Sequence, residues 1–470
     1  MKTLIGLEIH VELKTERKMF CDCKSSFGDE PNTNVCPVCL GHPGALPVIN
    51  KEAIKQAIMA GLALHSNIAP VIKMDRKNYF YPDLSKGYQI SQEDMPICEG
   101  GYVEIEVDGA KKQIGLIRAH IEEDTGKAKH MEDVTYMDYN RAGSPLIEIV
   151  TKPDISSPKE ARAFVDKLRD ILTGLEVSDC KMEEGSMRVD CNINIIDDDK
   201  KTAITEVKNI GSTRGVELSM EYEEKRHKEL LARGETGQKE TRRWDEAKLE
   251  TILMRVKTTT ADYRFQFDGD IPIFDISKEW IEQIKSSIPE LPDERKERLR
   301  LSYDMDKYDA DIIGSDKELS IYFEELVEDV RDKKLVTNWV INEFLRRIKD
   351  EQMSLSELRF TIEDFKYLME LLIDKKINNN TAKKIFREMF EEGSSPESIV
   401  KRDNLIQVQD ESAIEAWVDE VIAANPSSID DFNAGKDRAL GFLVGQVMKL
   451  SRGKADPVTV NKLMLEKIKK

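Results

Sequence analysis

The chain has 470 residues and a formal net charge of −18, with 34% charged and 40% hydrophobic residues. A chain of this length usually forms more than one hydrophobic core, and we expect three domains. No run approaches the roughly 20 apolar residues of a membrane span, and no apolar signal segment opens the chain, so we expect a soluble cytoplasmic protein. An evenly spread negative charge would argue against nucleic-acid binding, so the distribution of the charge decides that question.

The first predicted element is a strand over Thr3–Leu13, because apolar and polar side chains alternate along it. Its polar face carries Glu8, His10 and Glu12. A half-exposed antiparallel strand whose polar face meets water shows the same alternation, and for a single strand that is the more common explanation.

Four cysteines follow within nineteen residues, at Cys21, Cys23, Cys36 and Cys39. The pattern C-x-C, a gap of twelve residues and then C-x-x-C is typical of paired knuckles that hold one tetrahedral zinc ion. A pair of disulfides is the main alternative, but cytosolic thiols stay reduced. Four thiolate ligands leave zinc no open coordination position, so we predict a structural site that clamps this loop.

Three later segments repeat the alternation of the first strand: Leu116–Asp124, Arg188–Ile196 and Ile204–Lys208. Their polar faces carry Arg118, His120, Glu122 and Asp124 in the first, Arg188, Asp190, Asn192 and Asn194 in the second, and Glu206 and Lys208 in the third. Because four segments share this pattern, a polar face that merely meets water becomes a weaker explanation for each of them. We predict a single sheet that contains all four strands and has one acidic, cation-binding face.

An acidic face of this kind suits Mg²⁺, which prefers oxygen ligands and is often shared between carboxylates and nucleotide phosphates. Phosphoryl transfer is then the natural reaction class. A zinc hydrolase with Glu8, His10 and Glu122 as ligands is an alternative, although no HExxH helix supports it. The chain also lacks the glycine-rich phosphate-binding motifs, so any nucleotide must be bound in another way.

The composition predicts three regions. Residues 1–292 mix alternating strands with a few helices, notably Pro158–Leu172, and indicate an α+β domain. Charged helices follow over 293–405, including Leu319–Lys333, Val336–Lys349, Ile362–Asp374 and Thr381–Phe390. The tail, 406–470, has nine Lys and Arg against three acidic residues from Phe432 onward. Its basic edge can contact a phosphate backbone, and a solvated lysine-rich terminus explains it equally well.

Eight segments carry a resemblance to a known family: IGLEIHVEL at 5–13, RKNYFYPD at 76–83, KGYQISQ at 86–92, HIEED at 120–124, NRAGSPLIEIV at 140–150, KMEEGS at 181–186, ETRRWD at 240–245 and FLVGQVMK at 442–449. From end to end the chain resembles the B subunit of the tRNA-dependent glutamyl/aspartyl amidotransferase. The resemblance implies a cradle-shaped mixed-sheet catalytic domain, an all-helical domain and a small helical tail domain that binds tRNA.

The resemblance also implies an activity, that of a carbon–nitrogen ligase with glutamine as the amido donor. The family uses MgATP to phosphorylate the side-chain carboxylate of Glu or Asp mischarged on tRNA(Gln) or tRNA(Asn). Ammonia, released by a separate amidase A subunit and delivered through a tunnel, then displaces the phosphate. A small C subunit completes the expected heterotrimer.

By the match to the family's motifs, the Mg²⁺ and phosphate site is formed by Glu8, His10, Glu122 and Glu206. Glu123 and Lys86 would lie near the tunnel mouth, where a carboxylate can take a proton from ammonium.

Three residues, Asp190, Asn192 and Lys208, are expected to line the ATP pocket, although a merely structural polar face is an alternative for them. In the tail, the tRNA contacts are expected at Lys449, Arg452 and Lys454.

Two segments, 203–213 and 265–270, depart from the family's usual pattern. The departures leave a second hypothesis open, a catalytically reduced tRNA-binding scaffold subunit. Retention of Glu8, His10, Glu122 and Glu206 argues against it.

Overall fold

Most strands of the first 291 residues belong to one large mixed sheet. The computed structural model describes residues 1–256, 263–406, 411–433, 436, 438–451 and 455–468. The strands are β1 (Lys2–Glu12), β2 (Asn67–Ile68), β3 (Val71–Ile72), β4 (Asp75–Asn78), β5 (Tyr88–Ser91), β6 (Cys98–Glu99), β7 (Tyr102–Val107), β8 (Ala110–Glu123), β9 (Lys127–His130), β10 (Thr135–Asp138), β11 (Pro145–Thr151), β12 (Met187–Asp197), β13 (Lys200–Lys201), β14 (Thr205–Lys208), β15 (Glu240–Asp245), β16 (Glu250–Val256), β17 (Gln266–Phe267) and β18 (Phe274–Asp275). Along its main path the large sheet has the order β16-β15-β14-β12-β1-β11-β8-β6-β2.

The four strands predicted from alternation correspond to β1, β8, β12 and β14, and all four lie in this one sheet. Strand β1 is central and pairs antiparallel with β12 on one side and β11 on the other. Strand β11 then pairs with β8. The prediction of a single sheet is therefore confirmed, with β11 as an additional strand between two predicted neighbours.

The apolar face of the sheet is covered by helices. The helices among the described residues of this part of the chain are α1 (Lys51–Ala63), α2 (Pro158–Gly174), α3 (Thr213–Ala232) and α4 (Lys278–Ser286). Helix α2 begins as predicted, because the Ser157 side chain accepts a hydrogen bond from the Glu160 amide and Pro158 occupies the first helical position. Its buried Phe164 and Leu168 share one core with the apolar side chains of β1. The opposite face of β1 is thereby left to the polar side chains.

The described residues after Leu291 are mostly helical. Its helices are α5 (Pro292–Tyr303), α6 (Lys307–Ser315), α7 (Lys317–Val327), α8 (Lys333–Trp339), α9 (Leu345–Asp350), α10 (Ile362–Ile373), α11 (Asn379–Glu392), α12 (Pro396–Asp403), α13 (Glu411–Ala424), α14 (Pro426–Asn433), α15 (Arg438–Leu450) and α16 (Pro457–Ile468), with a π-helical turn at Val340–Phe344 and a 3₁₀ turn at Leu355–Glu357. The α+β prediction with following helical regions is confirmed.

One helix prediction was wrong. The segment Leu319–Lys333 is not a single helix, because α7 ends at Val327 and α8 begins at Lys333. The break follows from local capping, since the Asp332 side chain accepts a hydrogen bond from the Leu335 amide and so begins a new helix.

The chain divides into two compact units, Met1–Leu291 and Pro292–Lys470. Within the second unit, one apolar cluster runs from Leu299 to Val400 and another from Ile414 to Met464. The boundary drawn from the sequence between residues 405 and 406 stays a prediction.

Candidate active site and metal clusters

The polar face of the sheet collects a histidine and two glutamates from three strands. His10 comes from β1, Glu122 from β8 and Glu148 from β11, and one ligand atom from each lies within 4.8 Å of the others. His10 Nε2 lies 3.5 Å from Glu122 Oε1 and 3.4 Å from Glu148 Oε2. The strand register explains the meeting, because Glu148 stands opposite His10 on one side and opposite His120 on the other.

His10 and Glu148 shift each other's pKa in opposite directions. Burial lowers the pKa of His10, but its hydrogen bond to Glu148 and the charge of Glu122 outweigh burial, and the pKa lies above its ordinary value. Burial raises the pKa of Glu148, but hydrogen bonds from His10 and His120 bring it well below its usual range. A cation that displaces the proton of His10 would find a neutral imidazole nitrogen beside two carboxylates, so the donor set fits a metal ion.

The predicted Mg²⁺ ligands are only partly brought together. His10 and Glu122 belong to the cluster, whereas Glu8 and Glu206 lie outside the group defined by the 4.8 Å distance. Glu8 accepts a hydrogen bond of 2.8 Å from Asn192, and burial together with nearby Glu148 raises its pKa. The alternative zinc set of Glu8, His10 and Glu122 is likewise not the triad found here.

The residues expected around the nucleotide lie on the same polar face and pair with other polar residues of that face. Lys208 forms ion pairs with Asp190 and, at 3.3 Å, with Glu206. Glu206 also accepts a hydrogen bond of 2.7 Å from Thr241 on β15. Asn192 stands opposite Glu206 across the β12–β14 pair. These contacts form a row of alternating charges beside the metal-competent cluster.

Lys86 and Glu123 form a partly buried ion pair. Lys86 Nζ lies 2.6 Å from Glu123 Oε2, and the backbone amide of Ile90 donates a hydrogen bond of 2.9 Å to Glu123 Oε1. Strand alternation directs Glu123 to the opposite side of β8 from Glu122. The structure thus brings two predicted residues together, and their part in handling ammonia stays a prediction.

The four cysteines of the predicted zinc site converge. One sulfur from each lies within 4.8 Å of the others, and all four are free thiols. Hydrogen bonds from the thiol of Cys21 and the backbone of Cys36, with the nearby ammonium of Lys18, lower the pKa of Cys39 to about 4. Four converging sulfurs, one of them readily ionised, fit a tetrahedral zinc ion. The convergence of the four sulfurs supports the metal site that the cysteine spacing predicts, and the presence of zinc stays a prediction.

One of the two departing segments has a structural role. In the segment 265–270, Asp268 is fully buried and pairs with Arg76 at 3.0 Å. The same arginine pairs with Asp270 at 2.7 Å. The acidic residues of this segment therefore hold β17 against β4, where the two strands pair.

The tail residues can be placed only in part. Lys449 lies in the last turn of α15. Arg452 and Lys454, the other two predicted tRNA contacts, lie outside the residues that the structure describes.

Two residues of these clusters were missed by reasoning from the sequence. Glu148 is the lone carboxylate among the apolar residues of β11, a strand that is buried on both faces. Because charged residues are rarely buried without a partner, its position in such a strand could have indicated a functional role. Lys18 is fully buried, and its Nζ lies 3.7 Å from Cys39 Sγ. Nothing in its sequence context distinguishes it from an exposed lysine.

Comparison with known families defines the class of protein. The sequence model described as the GatB/GatE catalytic domain matches residues 3–282, the part of the chain that contains the large sheet. A second model, described as the GatB domain, matches residues 321–468.

Relatives match over the full length. The B subunit of the aspartyl/glutamyl-tRNA(Asn/Gln) amidotransferase from Finegoldia magna is 52% identical over 471 residues, which cover 100% of both chains. The B subunits from Clostridium botulinum and Caldicellulosiruptor saccharolyticus are 46% and 48% identical, each over 100% of this chain and 99% of the relative. The chain therefore belongs to the family of aspartyl/glutamyl-tRNA(Asn/Gln) amidotransferase B subunits, and the resemblance drawn from its motifs is confirmed.

Among the described residues, no helix is long and apolar enough to span a membrane.

Proposed function

We propose that the chain uses MgATP to phosphorylate the side-chain carboxylate of Glu or Asp attached to tRNA and then directs ammonia onto the acyl phosphate. The cluster of His10, Glu122 and Glu148 on the polar face of the sheet carries this proposal. Family membership favours transamidation over the scaffold hypothesis. The reaction needs activation, because a carboxylate is a poor electrophile and its acyl phosphate has a good leaving group.

His10, Glu122 and Glu148 would hold the divalent cation, with Glu8 and Glu206 as the further carboxylates of the same face. Bound Mg²⁺ would neutralise charge that develops on the phosphates during transfer. Lys208, held by its ion pairs with Asp190 and Glu206, presents an ammonium on the same face for phosphate contact.

The second half of the reaction needs unprotonated ammonia. Glu123, fixed by Lys86 and by the amide of Ile90, is the carboxylate that would accept the proton from ammonium. Because Glu123 points to the other side of β8 from Glu122, ammonia would enter apart from the proposed phosphate site. An amidase A subunit would supply the ammonia in a heterotrimer with a small C subunit.

The remaining assignments concern stability and tRNA. Zinc in the cysteine cluster would be structural, since its four thiolates fill the coordination sphere. Lys449 and the basic tail would bind the phosphate backbone of tRNA. We place the reaction in the cytoplasm, where aminoacylated tRNA is used.

The test is conversion of tRNA-bound Glu to Gln by the purified chain with MgATP and ammonium chloride, which replaces the amidase. We expect product from the wild type and from Glu104→Ala, a control at an exposed glutamate of β7. Glu206→Ala should lose about 100-fold or more of the rate, as expected for a group that orients metal and phosphate.

ADP formation measured in the same reactions separates the two steps. The proposal expects Mg²⁺-dependent ADP release from the wild type that Glu206→Ala abolishes. Absence of both ADP and amide from the wild type, with the A and C partners added and with Asp-tRNA as well as Glu-tRNA, would contradict the proposal and leave the scaffold hypothesis.

A further inference from the structure

The cysteine loop, which we define as residues 21–44, contributes Cys39 to the lining of the cavity beside the Lys86–Glu123 pair. Cys39 lines this cavity together with Lys86, Glu123 and Gly143. The predicted zinc ligands and the predicted ammonia-handling pair, assigned above to separate tasks, are therefore neighbours.

Two contacts connect the cysteine loop to the segment that carries Lys86. The Ser85 hydroxyl donates a hydrogen bond of 2.6 Å to the carbonyl oxygen of Cys39. Gly41 packs directly against Lys86, since a Cβ at Gly41 would lie 2.6 Å from Lys86 Cγ and 2.9 Å from its Cα. The cysteine loop thus packs against both the backbone and the aliphatic side chain of Lys86.

A third contact reaches Glu123 by way of Gly143. A Cβ at Gly143 would lie 3.6 Å from Cys39 Cβ and 3.9 Å from Glu123 Oε2. The backbone there is tied to the segment just before the cysteine loop, because the amide of Met19 donates a hydrogen bond of 2.7 Å to the Gly143 carbonyl. Gly143 therefore lies between Cys39 of the cysteine loop and the Glu123 carboxylate.

Lys18 connects the cysteine loop to the sheet connection before β11. Its ammonium donates to the carbonyl oxygens of Asn34 at 2.7 Å and Tyr139 at 3.3 Å and lies 3.7 Å from Cys39 Sγ. A fully buried lysine needs such partners, and here they come from the cysteine loop and from the sheet connection before β11.

We propose that the cysteine loop is the positioning element of the Lys86–Glu123 pair, so that a metal ion held by its four thiolates fixes the pair through Gly41 and Ser85. The inference rests on the proposed function, because it assigns metal occupancy to the ammonia step. Phosphorylation should be spared, since Glu122 lies on the other side of β8 from Glu123.

Two glycines of the cysteine loop provide a matched test. Gly41 and Gly44 have φ angles of +68° and +83°, so an alanine is strained at either position. A Cβ at Gly44 has nothing within 4 Å, whereas a Cβ at Gly41 displaces Lys86. Gly41→Ala and Gly44→Ala therefore share the backbone strain and differ in the contact with Lys86.

The first readout is hydrogen exchange of the Ile90 amide, which is bonded to Glu123, measured by mass spectrometry on zinc-loaded protein of known metal content. We expect exchange at least about tenfold faster in Gly41→Ala than in Gly44→Ala at equal zinc content, the loss of roughly 1.4 kcal/mol of protection. Chelating zinc from the wild type should speed the same amide. Equal exchange in both variants, or no response to chelation, would overturn the inference.

The second readout is kinetic and uses ammonium chloride as the nitrogen source. Gly41→Ala should raise the KM for ammonium about tenfold over Gly44→Ala, with ADP formation equal in the two variants. A wild type that forms no amide would contradict the proposed function, while the exchange experiment would still decide the positioning role.

If Gly41→Ala does not fold, Ser85→Ala replaces it. That variant loses only the hydrogen bond to Cys39, and we expect exchange at Ile90 about threefold to fivefold faster than in Thr33→Ala. Thr33→Ala is the matched control, because its hydroxyl bonds only within the cysteine loop, to the Glu30 carbonyl at 2.6 Å. Equal exchange in these two variants would also overturn the inference.

Discussion

The part of the chain that the structure describes contains two metal-competent clusters that are built in opposite ways. The cysteine cluster takes its four ligands from nineteen consecutive residues. The polar-face cluster takes His10, Glu122 and Glu148 from three strands that are distant in sequence and neighbours in the sheet. Ligands in one short segment can be recognised by their spacing, whereas ligands on separate strands meet only where the strand register places them.

The two clusters also differ in what holds them in place. The polar-face cluster stands on backbone ladders between β1, β11 and β8, which exist without an ion. The cysteine loop has almost no regular structure between Cys21 and Cys39, so the metal itself must supply much of its order. Loss of metal should therefore loosen the cysteine loop and leave the polar face in place.

The largest effect is expected at Glu148, the member of the polar-face cluster that the sequence did not reveal. Glu148→Gln removes the charge that holds His10 and His120 at 3.4 and 3.3 Å. We expect a loss of about 1000-fold in Mg²⁺-dependent ADP formation, or roughly 4 kcal/mol of transition-state stabilisation.

The control for this variant is Glu99→Gln, at an exposed glutamate of β6, a strand of the same sheet that does not pair with β11. Near wild-type ADP formation by Glu148→Gln would mean that Glu148 is not needed for the reaction, although the strand register places it beside His10. The comparison between the two clusters would then fail.

A third polar cluster is also buried and also assembled by the tertiary structure. We expect it to contribute to the stability of the fold and not to the reaction, so it tests whether assembly from distant residues by itself indicates function. Glu223 of α3 is fully buried and pairs with Arg226 at 2.7 Å and Arg242 at 3.3 Å. Burial raises the pKa of Glu223, but hydrogen bonds from His227 and Arg226 outweigh it and lower the pKa to about 2.

Because the pKa in the folded protein lies below the ordinary value of 4.5, the ionised carboxylate stabilises the fold above pH 4.5. That contribution, about 3 kcal/mol, is lost as the pH falls through about 2. Glu223→Gln should lower the free energy of unfolding by about that amount at pH 7, measured by urea unfolding, and the gap should narrow below pH 4.5. A gap that stays constant down to pH 2.5 would contradict the assignment.

The smallest effect is expected from breaking the cysteine cluster, because its consequences should stay local. Cys23→Ser should abolish stoichiometric zinc and lower the free energy of unfolding by about 2 kcal/mol. Zinc content and a urea unfolding curve measure the two effects, with Ser26→Ala in the same loop as the control. Mg²⁺-dependent ATP binding should remain within twofold of the wild type. A large loss of ATP binding would show that the two clusters are not independent.

Several elements could be read from the sequence because their causes are local. Alternation predicted β1, β12 and β14, and the Ser157 cap predicted the start of α2. The wrong prediction of one helix over Leu319–Lys333 has a local cause as well. The pattern of charged and apolar residues continues through this segment, but Asp332 caps the start of a new helix.

What the sequence by itself determined is the set of local features: the faces of the strands, the caps of the helices and the spacing of the four cysteines. Only the tertiary structure decided that Glu148 joins His10, that Glu8 and Glu206 stand apart from that cluster, and that the cysteine loop rests against Lys86. The reason is physical. Periodicity fixes the direction of a side chain relative to its own strand, whereas its neighbours depend on strand order and register, which arise only when the whole sheet pairs.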